Sequence, residues 1–420
     1  MLGFNVIGHV SGNLGLGVLA RNVVRLLKDK DLPVAVLDVD PGLGRGGHDL
    51  AYADITVETH QNLPHEVNLF VLPAPTLQTL LPRLSDSILR PDRLNAALPM
   101  WELPVLPRNW DVIFEFFDVV LAGTPFIRAA LEFSLSGVFI VPTHVPIYLP
   151  DATPTDSAAL RKLAGTTTFL TAFEPYSDPA RKNPASTIEA FRIASTNAPN
   201  ARLVVKLNSA PDDKMGIRAL SSLRRQTAGL SAVEFLVGRH SYAEALGLYA
   251  GADVIVSLHR AEGLGLVPME AMAMGKPVIA TAWSGNMAYM NHRSACLVSY
   301  ELVPVRKHGG LYRKMLAGTP ARWAEPDLYS AARWIVRLAG DASLREQYGA
   351  AARARIVDIQ GRALEASFLD ELEQIFANRQ TVCRPPGDRK MQIKRIRALP
   401  VPLKDKLSLT LRRLRGKPRG

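Results

Sequence analysis

Two doubly wound α/β domains of similar size are predicted for this chain. Three observations predict them: a βαβ unit at the start, a second α/β series after a Pro/Asp/Thr-rich break, and a length too great for one ordinary core. The 420 residues suit two domains of roughly 150–200 residues each. "FNVIGHV" (4–10) is a β-rich run, "GVLARNVVRLLKD" (17–29) has apolar residues at helical spacing, and "LPVAVLDVD" (32–40) returns to strand character. That is one βαβ unit, which implies a parallel sheet. Further strands are expected at 67–72, 96–100, 118–121 and 137–141, with helices between them. "VPIYLPDATPTDS" (145–157) lacks periodicity and reads as the hinge.

After the hinge the pattern restarts. "TTTFLTAFE", "ARLVVKLN", "VEFLVG", "DVIVSLH" and "PVIAT" read as strands, and "ASTIEAFRIAST", "YAEALGLYAGA" and "LVPMEAMAM" as helices. The expected division is 1–155, 156–360, a helical segment 361–383 that can cross back to the first domain, and a basic tail 384–420. The two doubly wound domains are expected to face a cleft between them.

Composition narrows the function classes. At 47% hydrophobic and 21% charged, the chain has the balance of a soluble globular protein, with no run of ~18 apolar residues for a membrane span. "MLGFNVIGHVSG" reads as a first buried strand and not as a signal peptide. Cys296 and Cys383 are too few for a disulfide framework or a zinc cluster, which fits a reducing cytoplasm. The net charge of +11 is carried entirely by Arg384–Gly420, with thirteen Lys or Arg against two Asp. The body is therefore neutral, and no specific nucleic-acid partner is expected.

The chemistry concentrates in "SLHRAEGLGLVPMEAMAMGKPVIATAWSGN" (257–286). "VIVSLH" should end at the carboxyl edge of its sheet, where open α/β sheets place ligands. In the turn that follows, Gly263 and Gly265 let backbone approach a ligand. Pro268 suits a first helical turn, and Gly275 stands where a C-terminal cap belongs. Free N–H groups and the helix dipole favour an anion at this N-terminus. Glu262 lies in the turn and Glu270 about one turn into the helix. Carboxylates are poor phosphate ligands but suit paired hydroxyls, and a group with hydroxyls on both sides of a diphosphate is a nucleotide sugar.

The E-x-G-x-x-x-x-x-E pattern, "AMAMGKPVIAT" and "SGN" resemble the donor site of retaining glycosyltransferases of family four, which have the GT-B fold. The resemblance implies that Glu262 contacts the donor sugar and Glu270 the ribose hydroxyls. It also places the amides of Gly263, Leu264, Gly265 and Leu266 near the sugar and diphosphate, with Ser284, Gly285 and Asn286 bordering the site. "DPARKNPASTIEAF" (178–191) resembles the family's basic element, in which Lys182 neutralises the leaving diphosphate. The family's arginine position holds Tyr176 here, and Arg181 beside the lysine is the candidate second cation. "MWELPVLPRNW" (100–110) resembles a bacterial subgroup with a WELP-type segment, which would bring Trp101 and Glu102 to the cleft. His9, at the end of the first strand, is a further acceptor candidate. Gly238 lies in the loop (238–241) expected to read the base. Arg260 could add charge near the donor turn or pair with Asp253 or another nearby acid, and "WAEPD" (323–327) has no assigned role.

"SGNLGLGVLARNVV" supports two readings. Gly15 and Gly17 match the glycine loop that approaches the donor phosphates in the resembled family. Gly15-x-Gly17-x-x-Ala20 also satisfies the dinucleotide fingerprint, with Asp38 or Asp40 about twenty residues on. The expected function is transfer of a hexose, mannose among the candidates, from a nucleotide-diphosphate sugar to a saccharide or lipid-linked saccharide acceptor, in surface-polysaccharide assembly. Lys182 and the helix tip would replace a metal, so neither metal nor cofactor is expected. An NAD(P)-dependent oxidoreductase and a non-catalytic carbohydrate- or nucleotide-binding protein are the alternatives. In the tail, Leu403, Leu407, Leu411 and Leu414 recur at helical spacing among basic residues. Such a helix can lie on anionic lipid at the inner face of the plasma membrane, and a disordered extension is the other reading.

Overall fold

The computed structural model describes residues 2–40, 49–90, 92–148, 160, 163–307, 310–379 and 389–399. It divides into two compact units, one of Met1–Tyr148, Met315–Thr319 and Gly361–Gly420, the other of Leu149–Lys314 and Pro320–Gln360. The expected hinge lies, beyond Tyr148, outside the described residues.

In the first unit six parallel strands, β1 (Phe4–Gly8), β2 (Val34–Asp38), β3 (Val67–Val71), β4 (Leu94–Ala97), β5 (Val119–Ala122) and β6 (Phe139–Pro142), run in the order β2-β1-β3-β4-β5-β6. The inner strands are buried along their whole length, as parallel strands covered by helices on both faces must be. Their polar residues pair laterally. Asn5 donates to Asn68 at 2.9 Å, and Asn68 to Asn95 at 2.9 Å, an amide ladder across three adjacent strands. The chain direction of sheet growth reverses at β1, so the loop after β1 sits at a switch point.

The helix Arg389–Ala398 groups with this unit and packs against the helices Ala74–Ile88 and Asp111–Phe114. Gln392, Ile396 and Leu399 are its buried face, and Arg395 reaches both oxygens of Glu115 at 2.9 Å. Residues 389–399, placed by sequence in the basic tail 384–420, thus form a packed helix, and for them the reading as a disordered extension is corrected. An i, i+4, i+7 stripe anchors that segment despite its basic composition. Leu403 to Leu414 lie outside the described residues.

The second unit carries β7 (Thr167–Phe173), β8 (Ala201–Leu207), β9 (Val233–Val237), β10 (Val254–Ser257), β11 (Val278–Thr281) and β12 (Cys296–Val298) in the order β12-β11-β10-β7-β8-β9. Growth starts at β7, proceeds through β8 to β9, then returns to β10 on the other side, so the switch point lies between the carboxyl ends of β7 and β10. Three strands were not expected from sequence, β12 and an antiparallel pair of β13 (Tyr300–Pro304) with β14 (Arg322–Pro326), nor was the helix Lys214–Gln226. The core between the sheet and the helices Pro184–Ser195 and Leu328–Gly340 is apolar and closed, with Phe169, Phe191, Leu203 and Ile335 fully buried. Among the described residues no helix is long and apolar enough to cross a membrane.

Candidate functional site

The segments leaving β7 and β10 meet at that switch point. After β7, Asp178 (φ +62°) turns the chain and accepts the Ala180 N–H at 2.9 Å, starting the one-turn helix Pro179–Lys182. Asn183 ends that helix in the left-handed region, and its side chain ties back to the Leu258 carbonyl at 2.9 Å. Arg181 and Lys182 are thereby delivered to the turn after β10. Arg260 holds the two segments together. Its N–H donates to the Arg181 carbonyl at 2.8 Å, its guanidinium bonds the Ala180 carbonyl, and two further N–H groups form a fork on Glu325 at 2.8 Å each. Glu325 of "WAEPD" is thus the acid that Arg260 pairs with. Asp253 instead accepts the Thr168 N–H at 2.7 Å.

Glu262 is the centre of the cluster. One oxygen takes Arg181 Nη1 at 3.0 Å, and the other takes Lys182 Nζ at 2.5 Å. Burial pushes the Glu262 carboxyl up, but Lys182 and then Arg181 outweigh it and hold it down at about 2. Arg181 is spent inside the protein, since it also bonds the Ala261 and Ser177 carbonyls. The Lys182 side chain stays 23% exposed. Two cations against one anion leave a net positive charge here. Below them His259 is fully buried, with neither ring nitrogen hydrogen-bonded. Burial, reinforced by the two cations, takes it down to about 4 despite Glu262, so the ring is neutral at working pH.

Gly265 in the turn and Gly285 behind it are sterically required. Gly265 has φ +82° at the start of the helix Leu266–Ala273, and a Cβ there would lie 2.9 Å from Tyr289 Oη, which donates to the Gly265 carbonyl at 2.7 Å. A Cβ on Gly285 would lie 1.8 Å from the Gly263 carbonyl oxygen. Gly285 N–H donates to the Glu262 carbonyl, and Ser284 Oγ accepts the Glu262 N–H, both at 2.8 Å. Asn286 is buried on the Thr281 carbonyl at 3.0 Å. Ser284, Gly285 and Asn286 therefore brace the turn from behind. No side chain caps the helix tip that follows Leu264 and Gly265, so the dipole end is open to an anion.

Glu270 belongs to a second polar group on the same sheet edge. Tyr242 donates to Glu270 Oε1 at 2.9 Å. Burial pushes the carboxyl up to about 8, against the pull of Tyr242 and Lys206. Lys206, near the carboxyl end of β8, is 4% exposed, with burial taking it down to about 8 against Glu270 and Glu244. Gly238 turns the chain beside it, and its carbonyl meets the His240 ring at 3.1 Å. Sequence reasoning missed Lys206 and Tyr242, and gave His259, noted just before the donor turn, no role. Lys206 had a signal, as the lone charge near the end of an apolar strand.

In the first unit Gly15 is exposed and opens the helix Gly15–Asp29. Gly17 packs on its own loop, because a Cβ there would lie 2.0 Å from the Gly12 carbonyl oxygen. Asp38, one of the two acids of the dinucleotide reading, accepts the Ser11 and Asp40 N–H groups at 3.3 and 3.1 Å, and the other, Asp40, lies against His9. His9 is buried with Nδ1 3.4 Å from Asp40. Trp101 corrects its expectation: it is 1% exposed, its indole N–H donates to the Val105 carbonyl at 3.0 Å, and its ring lies 5.4 Å from that of Trp110. Neither ring face is offered to a sugar. Glu102 beside it is half-buried. Among the described residues no group of three or more His, Cys, Asp or Glu is placed to hold a metal.

Residues 177–300, from the basic turn to beyond the Ser284–Asn286 brace, match the family described as glycosyl transferases group 1. No curated protein matches the chain. Among solved structures, sucrose-phosphate synthase from Thermosynechococcus elongatus is similar at 17% identity and TM-score 0.65, covering 90% of this chain and 100% of that one. The α,α-trehalose 6-phosphate synthase from Burkholderia multivorans aligns at 13% identity and TM-score 0.60, over 90% and 99%. Anabaena HepE, in complex with UDP and glucose, aligns at 15% and 0.57, over 88% and 100%. At these identities the likeness is one of fold, and the fold is the two-unit α/β GT-B arrangement.

Proposed function

We propose that this protein is a retaining, metal-independent glycosyltransferase that moves a hexose from a nucleotide-diphosphate sugar to a saccharide or lipid-linked saccharide acceptor. The observation that carries the reading is Glu262 gripped by Arg181 and Lys182 beside an uncapped helix tip, with Glu270 one turn along the same helix. The sugar hydroxyls meet Glu262, the diphosphate lies against Lys182 and the amides from Gly263 to Leu266, and the ribose hydroxyls meet Glu270. Breaking the anomeric bond puts negative charge on the departing diphosphate, and a fixed cation with a helix dipole stabilises that charge without reorganising. Arg181 acts through Glu262 and Lys182, as a positioning residue. The match of residues 177–300 to glycosyl transferases group 1 supports this reading, as does the likeness to synthases that transfer sugars. Gly15 and Gly17 are proposed to approach the donor phosphates, and His9 and Glu102 the acceptor. Mannose transfer in surface-polysaccharide assembly, and basic residues near the C-terminus resting on anionic lipid at the cytoplasmic membrane face, complete the proposal.

The test is a screen of nucleotide sugars by thermal shift, since a bound donor raises apparent stability by mass action. Turnover of the hits is then measured in the presence of a chelator. Glu262→Ala and Lys182→Ala should each lower transfer at least ~100-fold. Normal transfer in both variants, or release of reduced nicotinamide, rejects the reading.

A further inference from the structure

The second polar group contains a charge that the mechanism above does not use. Lys206 sits one residue before the end of β8, 4% exposed. An ammonium has three donors, and among the described residues Lys206 makes one hydrogen bond, a long one of 3.5 Å to Asn208 Oδ1. A cation taken out of water and left nearly unbonded costs free energy unless something completes its shell. Its neighbours are those expected at the nucleoside end of a donor: Glu270, the His240 turn after Gly238, and Glu244 at the start of the next helix. Glu244, close by and ionised, already balances the ammonium while Glu270 keeps its proton, so a neutral oxygen suits Lys206 better than a further anion. We propose that Lys206 is a specificity-determining residue whose buried ammonium donates to a neutral oxygen of the donor's nucleoside, a keto group of the base or a ribose hydroxyl. This rests on the donor-site reading given above and adds a side-chain contact at the end of the ligand away from the sugar.

The experiment measures binding of UDP, GDP, ADP, 2′-deoxy-UDP, 3′-deoxy-UDP and inorganic pyrophosphate to the full chain and to Lys206→Met. Methionine matches the lysine stem, so folding should survive, and Lys206→Gln is a second variant that keeps a donor. The Met variant should lose about 10- to 100-fold in affinity for the preferred nucleoside diphosphate, the range for a hydrogen bond to a charged group. Pyrophosphate, held by Lys182, should change less than about threefold, and Lys206→Gln should recover part of the loss. If the keto group is the acceptor, the preference of UDP or GDP over ADP collapses in Lys206→Met. If a ribose hydroxyl is the acceptor, the penalty for one deoxy-UDP disappears instead. Tight binding by the wild type with both preferences intact in Lys206→Met overturns this inference and leaves the donor site standing. No binding of any nucleoside diphosphate by the wild type rejects the donor site, and the inference with it.

Discussion

Lys182 Nζ lies 2.5 Å from one oxygen of Glu262 while Arg181 takes the other at 3.0 Å, so a single carboxylate fixes both cations of the site. Glu262→Gln keeps the shape and removes the charge, leaving two cations uncompensated. Breaking a buried ion pair costs about 3–5 kcal/mol, and the lower end applies because Lys182 is 23% exposed. The pH dependence has a definite sign. The folded carboxyl titrates at about 2 against an ordinary 4.5, so its stabilisation is present above 4.5 and is lost as pH falls towards 2. Urea midpoints of wild type and Glu262→Gln should differ most above pH 5 and converge near pH 2. A gap that stays constant across that window counts against the ion-pair account.

Glu270 has the opposite sign. Its carboxyl is raised to about 8, so the folded state holds a proton that the unfolded state releases near 4.5. Stability is fully present below 4.5 and is lost as pH rises through 8. Lys206, lowered to about 8 from 10.5, penalises the fold below 8 and is relieved between 8 and 10.5. Glu270→Gln should therefore melt close to wild type at pH 4.5 and above it at pH 8. Lys206→Met should melt above wild type at pH 7, with the gain shrinking towards pH 10. Melting curves at these pH values check both.

The fork between Arg260 and Glu325 ties the β13–β14 pair to the basic turn, because Arg260 also bonds the Ala180 carbonyl. Glu325→Ala should cost about 1–3 kcal/mol through the unpaired guanidinium. It should also lower kcat more than it raises the donor KM, since Lys182 loses its orientation and not its charge. Glu325→Asp, which can reform one arm of the fork, should recover part of kcat. A variant with full kcat would show that the turn keeps its position without this brace.

How much of this was legible follows from the physics of each element. Strands β7, β8 and β10 read clearly because parallel strands covered on both faces are near-continuous apolar runs. Glu262 and Glu270 stood out because the glycines and proline between them mark a turn leading into a helix. The β13–β14 pair was hidden: it carries Glu301, Arg322 and Glu325, and a long connection separates its strands. In the helix Arg389–Ala398 the basic residues mask a three-residue buried stripe. Trp101 misled because a Trp–Glu pair beside prolines has the same composition in a sugar platform and in a core corner, and burial separates the two.

Gly285 tests the brace behind the donor turn. Its missing Cβ would meet the Gly263 carbonyl oxygen at 1.8 Å, and backbone cannot swing aside as a flexible side chain does. Gly285→Ala should cost about 1–3 kcal/mol by overpacking and weaken nucleotide binding by displacing Gly263 from the helix tip. Gly361→Ala, inside the helix Ala342–Glu365 with nothing within 4 Å, is the control. It should gain about 0.5–1 kcal/mol from helix propensity. Paired denaturant titrations and nucleoside diphosphate binding separate steric clash from a general intolerance of substitution at glycine.

Trp101 tests the boundary between packing and recognition. Its ring is enclosed with Trp110, and its N–H is satisfied by the Val105 carbonyl. Trp101→Ala should therefore lose about 3–5 kcal/mol and lower the amount of folded enzyme, with the acceptor KM of the surviving fraction close to wild type. Trp101→Phe refills most of the volume and gives up one hydrogen bond, about 1 kcal/mol, so its Tm should fall by less. If Trp101 stacked on a sugar, the pattern would reverse: acceptor KM would rise steeply in Trp101→Ala while Tm held. Measuring both quantities on both variants decides between a core residue and a binding platform, because stability and acceptor affinity are then moved by different variants.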